Sequence, residues 1–96
     1  MAAYVIGEIE ITDPQTYQDY AKDVPGTIAR YGGKYLVRGG RTEAKEGDWE
    51  PRRMVVLEFA SLEQARKWYD SPEYAPLRAL RQRASRGRLI FVEGVA

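Results

Sequence analysis

Apolar and polar positions alternate from the start of the chain. In AYVIGEIEI, Ala3 to Ile11, every second position is apolar or glycine, which predicts a strand that stops at Thr12. The period then changes: Tyr17, Tyr20, Ala21, Val24, Ile28 and Tyr31 form a helical stripe behind Asp13 as a cap and Pro14 at the first helical position. Pro25 and Gly26 fall inside that stripe, so a kink or two helical pieces are expected. Gly32 and Gly33 then end the helix as a left-handed cap.

A second strand, Lys34 to Gly40, and a third, Arg53 to Phe59, flank the polar loop RTEAKEGDWEPRR and read as a hairpin. Ser61 with Gln64 gives a capping box for a helix that buries Leu62, Ala65, Trp68 and Tyr69. DSPEY breaks that helix, and Ser71 with Pro72 restarts it with Leu77, Leu80 and Ala84 inward. GRLIFVEGV supplies the fourth strand. The sequence β-α-β-β-α-β predicts an α+β, ferredoxin-like domain over residues 1–96, with a four-stranded antiparallel sheet in the order 4-1-3-2.

Strand side chains point alternately to the two faces of a sheet. Sorted by parity, Val5, Ile9, Ile11, Tyr35, Val37, Val55, Leu57, Phe59, Ile90 and Val92 belong under the helices. Tyr4, Ile6, Glu8, Glu10, Lys34, Leu36, Arg38, Met54, Val56, Glu58, Leu89, Phe91 and Glu93 belong to the other face. That second face mixes apolar bulk with charge and has no helix to cover it, so it predicts a two-fold homodimer through the sheet, a dimeric α/β barrel. A chain of 96 residues buries a modest core, and a second copy supplements it.

Composition narrows the chemistry. With no Cys and no His, disulfides, thiolate chemistry, and zinc or heme sites anchored on those residues are excluded. Acid-base work is left to Glu, Asp, Lys or Tyr, and no metal or bound organic cofactor is expected. A formal net charge of +1 lacks the basic excess that nucleic-acid binding needs. No apolar run reaches a membrane span, and MAAYVIGEIEI does not read as a signal peptide, so a cytoplasmic protein is expected.

Arg38 and Glu8, on one face by parity, are the catalytic candidates: a guanidinium to bind or polarise an oxygenated ligand and a carboxylate to move a proton. The alternative is an ion pair that fixes dimer register. Gly39 and Gly40 let the backbone bulge or approach something closely. Tyr17, Tyr20, Arg38, Trp49 and Tyr69 are the ligand-binding candidates, since phenols on an apolar stripe give a pocket polar tips, and a loop tryptophan can close over it. Arg78, Arg81, Arg83, Arg86 and Arg88 read as a solvated helix face. An RNA-recognition motif shares this strand order but needs aromatic rings on its third strand, where RRMVVLEF offers Met54 and Val56.

The stretches YGGKYLVRGG, LEFASLEQARKWYDSPEYAPLRALR and FVEGV resemble the DUF1330 family of the dimeric α/β barrel superfamily, over nearly the whole chain. Matching positions are Gly33, Arg38, Gly39, Gly40, Glu58, Phe59, Ala65, Tyr69, Ser71, Tyr74 and Arg81. The resemblance implies a ferredoxin-like subunit that dimerises through its sheet; it carries no established reaction. Related barrel families include cofactor-free monooxygenases and lactone isomerases, an analogy of fold. Three functions follow as alternatives: a cofactor-independent enzyme acting on a small oxygenated metabolite, a non-catalytic ligand-binding module, and a purely structural homodimer.

Overall fold

The elements follow the expected order: β1 (Ala3–Ile11), α1 (Pro14–Arg30), β2 (Lys34–Arg38), β3 (Arg53–Phe59), α2 (Leu62–Tyr69), α3 (Ala75–Ala84) and β4 (Ser85–Glu93). The computed structural model describes residues 1–95. Its strands form one antiparallel sheet in the order β2-β3-β1-β4, the ferredoxin-like arrangement of an α+β subunit. Among the described residues no helix is long and apolar enough to cross a membrane.

Local chemistry explains the helix ends. Asp13 Oδ1 accepts the Thr16 amide at 3.2 Å and opens α1. Gly32, at φ 77°, closes it: its amide bonds the Ala29 carbonyl and that of Gly33 bonds Ile28, the paired bonds of a Schellman motif. Ser61 Oγ accepts the Gln64 amide at 3.0 Å. The Gln64 side chain does not return to complete a capping box; it donates to the Tyr31 carbonyl at 2.9 Å and ties α2 to the end of α1. Ser71 Oγ accepts the Tyr74 amide at 3.1 Å, and the helix restarts at Ala75 rather than at Pro72.

Pro25 does not divide α1, which runs as one 17-residue helix. Proline has no amide proton, so the Ala21 carbonyl one turn earlier loses its usual donor. Arg38 supplies the replacement, donating from Nη2 to that oxygen at 2.7 Å.

Two strands face their side chains differently from the parity assignment, β2 through a bulge and β4 through the opposite phase of a regular alternation. In β2, Tyr35 opposes Leu57, but Val37 opposes Val56 and Arg38 opposes Val55, a register shift that leaves Leu36 as an extra residue. The bulge turns Val37 to the open face and Arg38 to the helix face, the reverse of the parity assignment. In β4, Phe91 opposes Val5 and Leu89 opposes Gly7, so these two pack on the core while Ile90 and Val92 lie open. The run Leu89-Ile90-Phe91-Val92 is apolar at every position, and only pairing with β1 decides which members turn inward.

The core lies between the helices and the sheet, with Trp68, Tyr74, Phe59, Val5 and Val24 as its largest fully buried side chains. Across the opposite face, Val37, Val56, Ile6 and Ile90 stand in register as an apolar band spanning all four strands. Lys34 pairs with Glu58 at 3.3 Å on one side of the band, and Arg88 with Glu8 at 3.0 Å on the other.

Candidate functional site

The bulge in β2 decides which sequence candidates can meet. Arg38 lies on the helix face at the edge of the core, its Cζ 4.7 Å from the centroid of the Tyr35 ring. Glu8 lies on the other face, opposite Met54 and Arg88. The expected Arg38–Glu8 cluster is therefore not formed, because one extra residue reverses the side-chain alternation beyond it.

The helix face contains a cavity of about 30 Å³, bordered by Tyr17, Tyr20, Tyr35, Trp68 and Tyr74 and by three arginines, Arg38, Arg53 and Arg81. Periodicity places these groups. Tyr17, Tyr20 and Val24 come from the buried stripe of α1; Tyr74 and Arg81 lie seven residues apart, two turns along the start and inner side of α3. Arg53 opposes Ile9 across the sheet and so turns inward. Gly39, at φ 70°, makes room for it, since a Cβ there would collide with the Arg53 guanidinium. Gly39 at the end of β2 thus accommodates an inward arginine from β3, whereas Gly40 faces open space.

The polar tips form a chain. Tyr20 and Tyr74 share a phenol–phenol hydrogen bond of 2.9 Å, and Arg81 Nε donates to the Tyr74 oxygen at 3.3 Å. Burial, reinforced by the neighbouring Tyr74, pushes the Tyr20 phenol far above the ordinary tyrosine range, so it remains a neutral donor. Burial also raises Tyr35, with Arg38 beside it pulling the other way. Among the described residues no Asp, Glu or Lys borders the cavity. It can donate hydrogen bonds and stabilise negative charge; it offers no group that takes up a proton near pH 7.

Of the remaining candidates, Tyr69 lies outside the cavity, in a surface groove that also contains Arg81, Gln82 and Leu89. Trp49 is on the opposite face, where its Nε1 donates to Glu8 Oε2 at 3.0 Å. The Arg52 amide donates to the same oxygen at 3.2 Å, and Arg88 donates to Oε1 from Nε and Nη2. Glu8 is thus the anchor that fastens the β2–β3 loop to the sheet. The Trp49 indole, the Arg52 amide and Arg88 hold its carboxyl below the usual glutamate range. A carboxyl lowered in the folded state stabilises the attachment above the ordinary glutamate pKa, and this contribution disappears as pH falls through the lowered value. Acid titration of Trp49 fluorescence, taken as the difference between wild type and Trp49→Phe, is expected to show loop release below the ordinary glutamate range while far-ultraviolet circular dichroism stays constant. Release at or above that range would show that the carboxyl is not held.

A family model described as a domain of unknown function, DUF1330, matches residues 2–95. The chain belongs to the DUF1330 family. This DUF1330 chain shares its fold with a crystal structure of a protein of unknown function from Rhodopseudomonas palustris, at 17% identity and a TM-score of 0.75, covering 99% of this chain and 83% of that one. SnoaB, a cofactor-independent oxygenase from Streptomyces nogalater, is similar at 11% identity and a TM-score of 0.70, with 99% and 94% of the two chains covered. A conserved protein of unknown function from Bacteroides thetaiotaomicron, described as a possible oxidoreductase, gives 11% identity and a TM-score of 0.68 over 97% of each chain. No curated protein matches the chain. Identities this low carry the fold of the DUF1330 chain and not its chemistry.

Arg53, Tyr74 and Arg81 complete the cavity without having been singled out as site residues, and Arg81 does not belong to a solvated face: it is 8% exposed. Both arginines had a sequence signal. Arg53 shares parity with Val55, Leu57 and Phe59, and Arg81 shares a helical stripe with Leu77 and Ala84.

Proposed function

We propose that this protein is a single-domain, cytoplasmic homodimer that binds a small oxygenated metabolite in the cleft between the helices and the sheet. The observation that carries the proposal is the aromatic cavity bordered by the hydrogen-bonded Tyr20 and Tyr74 hydroxyls and Arg81. Tyr17, Tyr20 and Arg38 are its ligand-binding residues, with Tyr69 at the outer groove. Trp49 and Glu8 act on the other face, where the apolar band and its flanking ion pairs suit a second copy of the chain.

Any reaction in this cleft runs without a bound cofactor and takes a substrate that arrives ionised or readily ionises, in the manner of an oxygenase or isomerase. Arg38 and the phenols would stabilise its oxyanion. The fold shared with SnoaB supports that class by analogy alone. The absence of a proton acceptor around the cavity favours a second reading, a module that binds its metabolite without changing it.

Native mass spectrometry of protein purified gently from its own host tests these readings. A dimer carrying a small ligand is expected, with the ligand lost from the Tyr20→Phe/Tyr74→Phe double variant. Conversion of that ligand on incubation supports the enzyme, and recovery unchanged supports the binding module. An empty wild-type protein would remove the pocket reading.

A further inference from the structure

The helix-face cavity holds hydrogen-bond donors in excess of acceptors, and this imbalance specifies its ligand more closely. Arg81 is 8% exposed, and its one side-chain hydrogen bond among the described residues goes to the Tyr74 phenol. Among the described residues no ion pair includes Arg81, Arg53 or Arg38. A phenol is neutral at pH 7 and offers a buried guanidinium a dipole rather than a countercharge. Arg53 Nε is buried with no acceptor. The two phenols share a single hydrogen bond, and the Tyr74 oxygen already accepts from Arg81, so one phenolic proton is left to donate.

All these unmet groups are donors, and three bordering side chains are cationic. A neutral ligand with donors of its own would worsen the imbalance; an oxyanion corrects both the hydrogen bonding and the charge. The fold alone does not require this arrangement. A methionine at position 81 would fill the same helical stripe without desolvating a charge, and such exchanges of buried charge for apolar bulk are often neutral or stabilising. The cavity, about 30 Å³, has room for one or two water-sized groups, the size of a carboxylate head and not of a whole metabolite. Arg81 and Leu89 also border the surface groove with Tyr69 and Gln82, so the groove is the neighbouring surface toward which a tail attached to that head would be directed.

We infer that the cavity is a carboxylate site: it takes the carboxylate of a small organic acid between Arg81, Arg53 and the Tyr20–Tyr74 pair, with the rest of the acid directed to the outer groove. The inference rests on the cleft being the ligand pocket and names the class of ligand it selects.

The test is thermal unfolding of wild type and Arg81→Met in sodium acetate, in sodium chloride of equal ionic strength, and in sodium chloride of that strength containing acetamide, the neutral isostere of acetic acid. Acetate is expected to raise the wild-type Tm by about 5 °C over chloride at saturation, and acetamide to leave it unchanged. Arg81→Met should lose the acetate response and, in chloride alone, match or exceed the wild-type Tm. Equal stabilisation by acetate and acetamide would overturn the carboxylate inference while keeping the cleft as a small-molecule pocket. Acetate no better than chloride, or a less stable Arg81→Met, would overturn the inference by making Arg81 a structural residue. Whether the host-purified protein carries any ligand then decides the pocket itself.

Discussion

Trp68→Ala is expected to remove about 3–5 kcal/mol of stability, the usual range for truncating a fully buried large aromatic. Trp68 is 1% exposed, and its ring lies 4.1 Å from that of Tyr74 and 5.5 Å from that of Phe59, centroid to centroid. It also spans α2 and α1: Nε1 donates to Thr27 Oγ1 at 3.1 Å, and that hydroxyl donates to the Val24 carbonyl at 2.8 Å. Truncation therefore leaves a void between the helices and the sheet and removes the only donor to Thr27 Oγ1 among these contacts. For a chain of this length total stability is on the order of 5–14 kcal/mol, so the variant would keep a small margin at best. Thermal or urea unfolding measures the effect, with a Tm drop on the order of 20 °C. The same truncation at Trp49, exposed on the loop, should cost far less because it opens no cavity. A Trp68→Ala variant within about 1 kcal/mol of wild type would contradict the aromatic core described above.

The same contrast between the two tryptophans shows what a sequence can reveal. Trp68 lies in a strong helical stripe, and its burial follows from spacing alone; Trp49 lies in a polar loop, where no period constrains it. The caps at Asp13 and Ser61, the left-handed Gly32 and the strand order were legible because each depends on a few neighbouring residues or on the βαββαβ pattern. The place of Arg38 was not, because it depends on a single bulge that only the pairing of β2 with β3 reveals. Its partner was hidden for a related reason. Pro25 announces a missing amide at the level of sequence, but which side chain reaches the stranded Ala21 carbonyl depends on the same bulge. The Tyr17–Tyr20 half of the cavity could be read from α1, whereas its polar centre needed Arg53 and Arg81, arginines on inward stripes where apolar residues are the rule.

Val56→Glu is expected to split the proposed homodimer while leaving each subunit folded. Val56 lies on the open face at the middle of the apolar band, paired with Ile6 on one side and Val37 on the other. Its side chain points away from the helices, so the substitution opens no cavity in the core. In a two-fold interface one mutation acts twice, placing two carboxylates on a surface whose apolar contact must exclude water. A dissociation constant at least about 100-fold higher is expected, a change of roughly 3 kcal/mol, read as a concentration-dependent shift from dimer to monomer in sedimentation. A wild type that is monomeric at all concentrations, or a variant as dimeric as wild type, would remove the sheet face as the interface. The split protein also separates the two faces functionally. The residues of this chain that border the cavity lie on the side of the sheet away from the band, so the Val56→Glu monomer should keep the acetate response that Arg81→Met loses. Loss of that response on splitting would mean that the partner subunit holds the cleft in its binding-competent form.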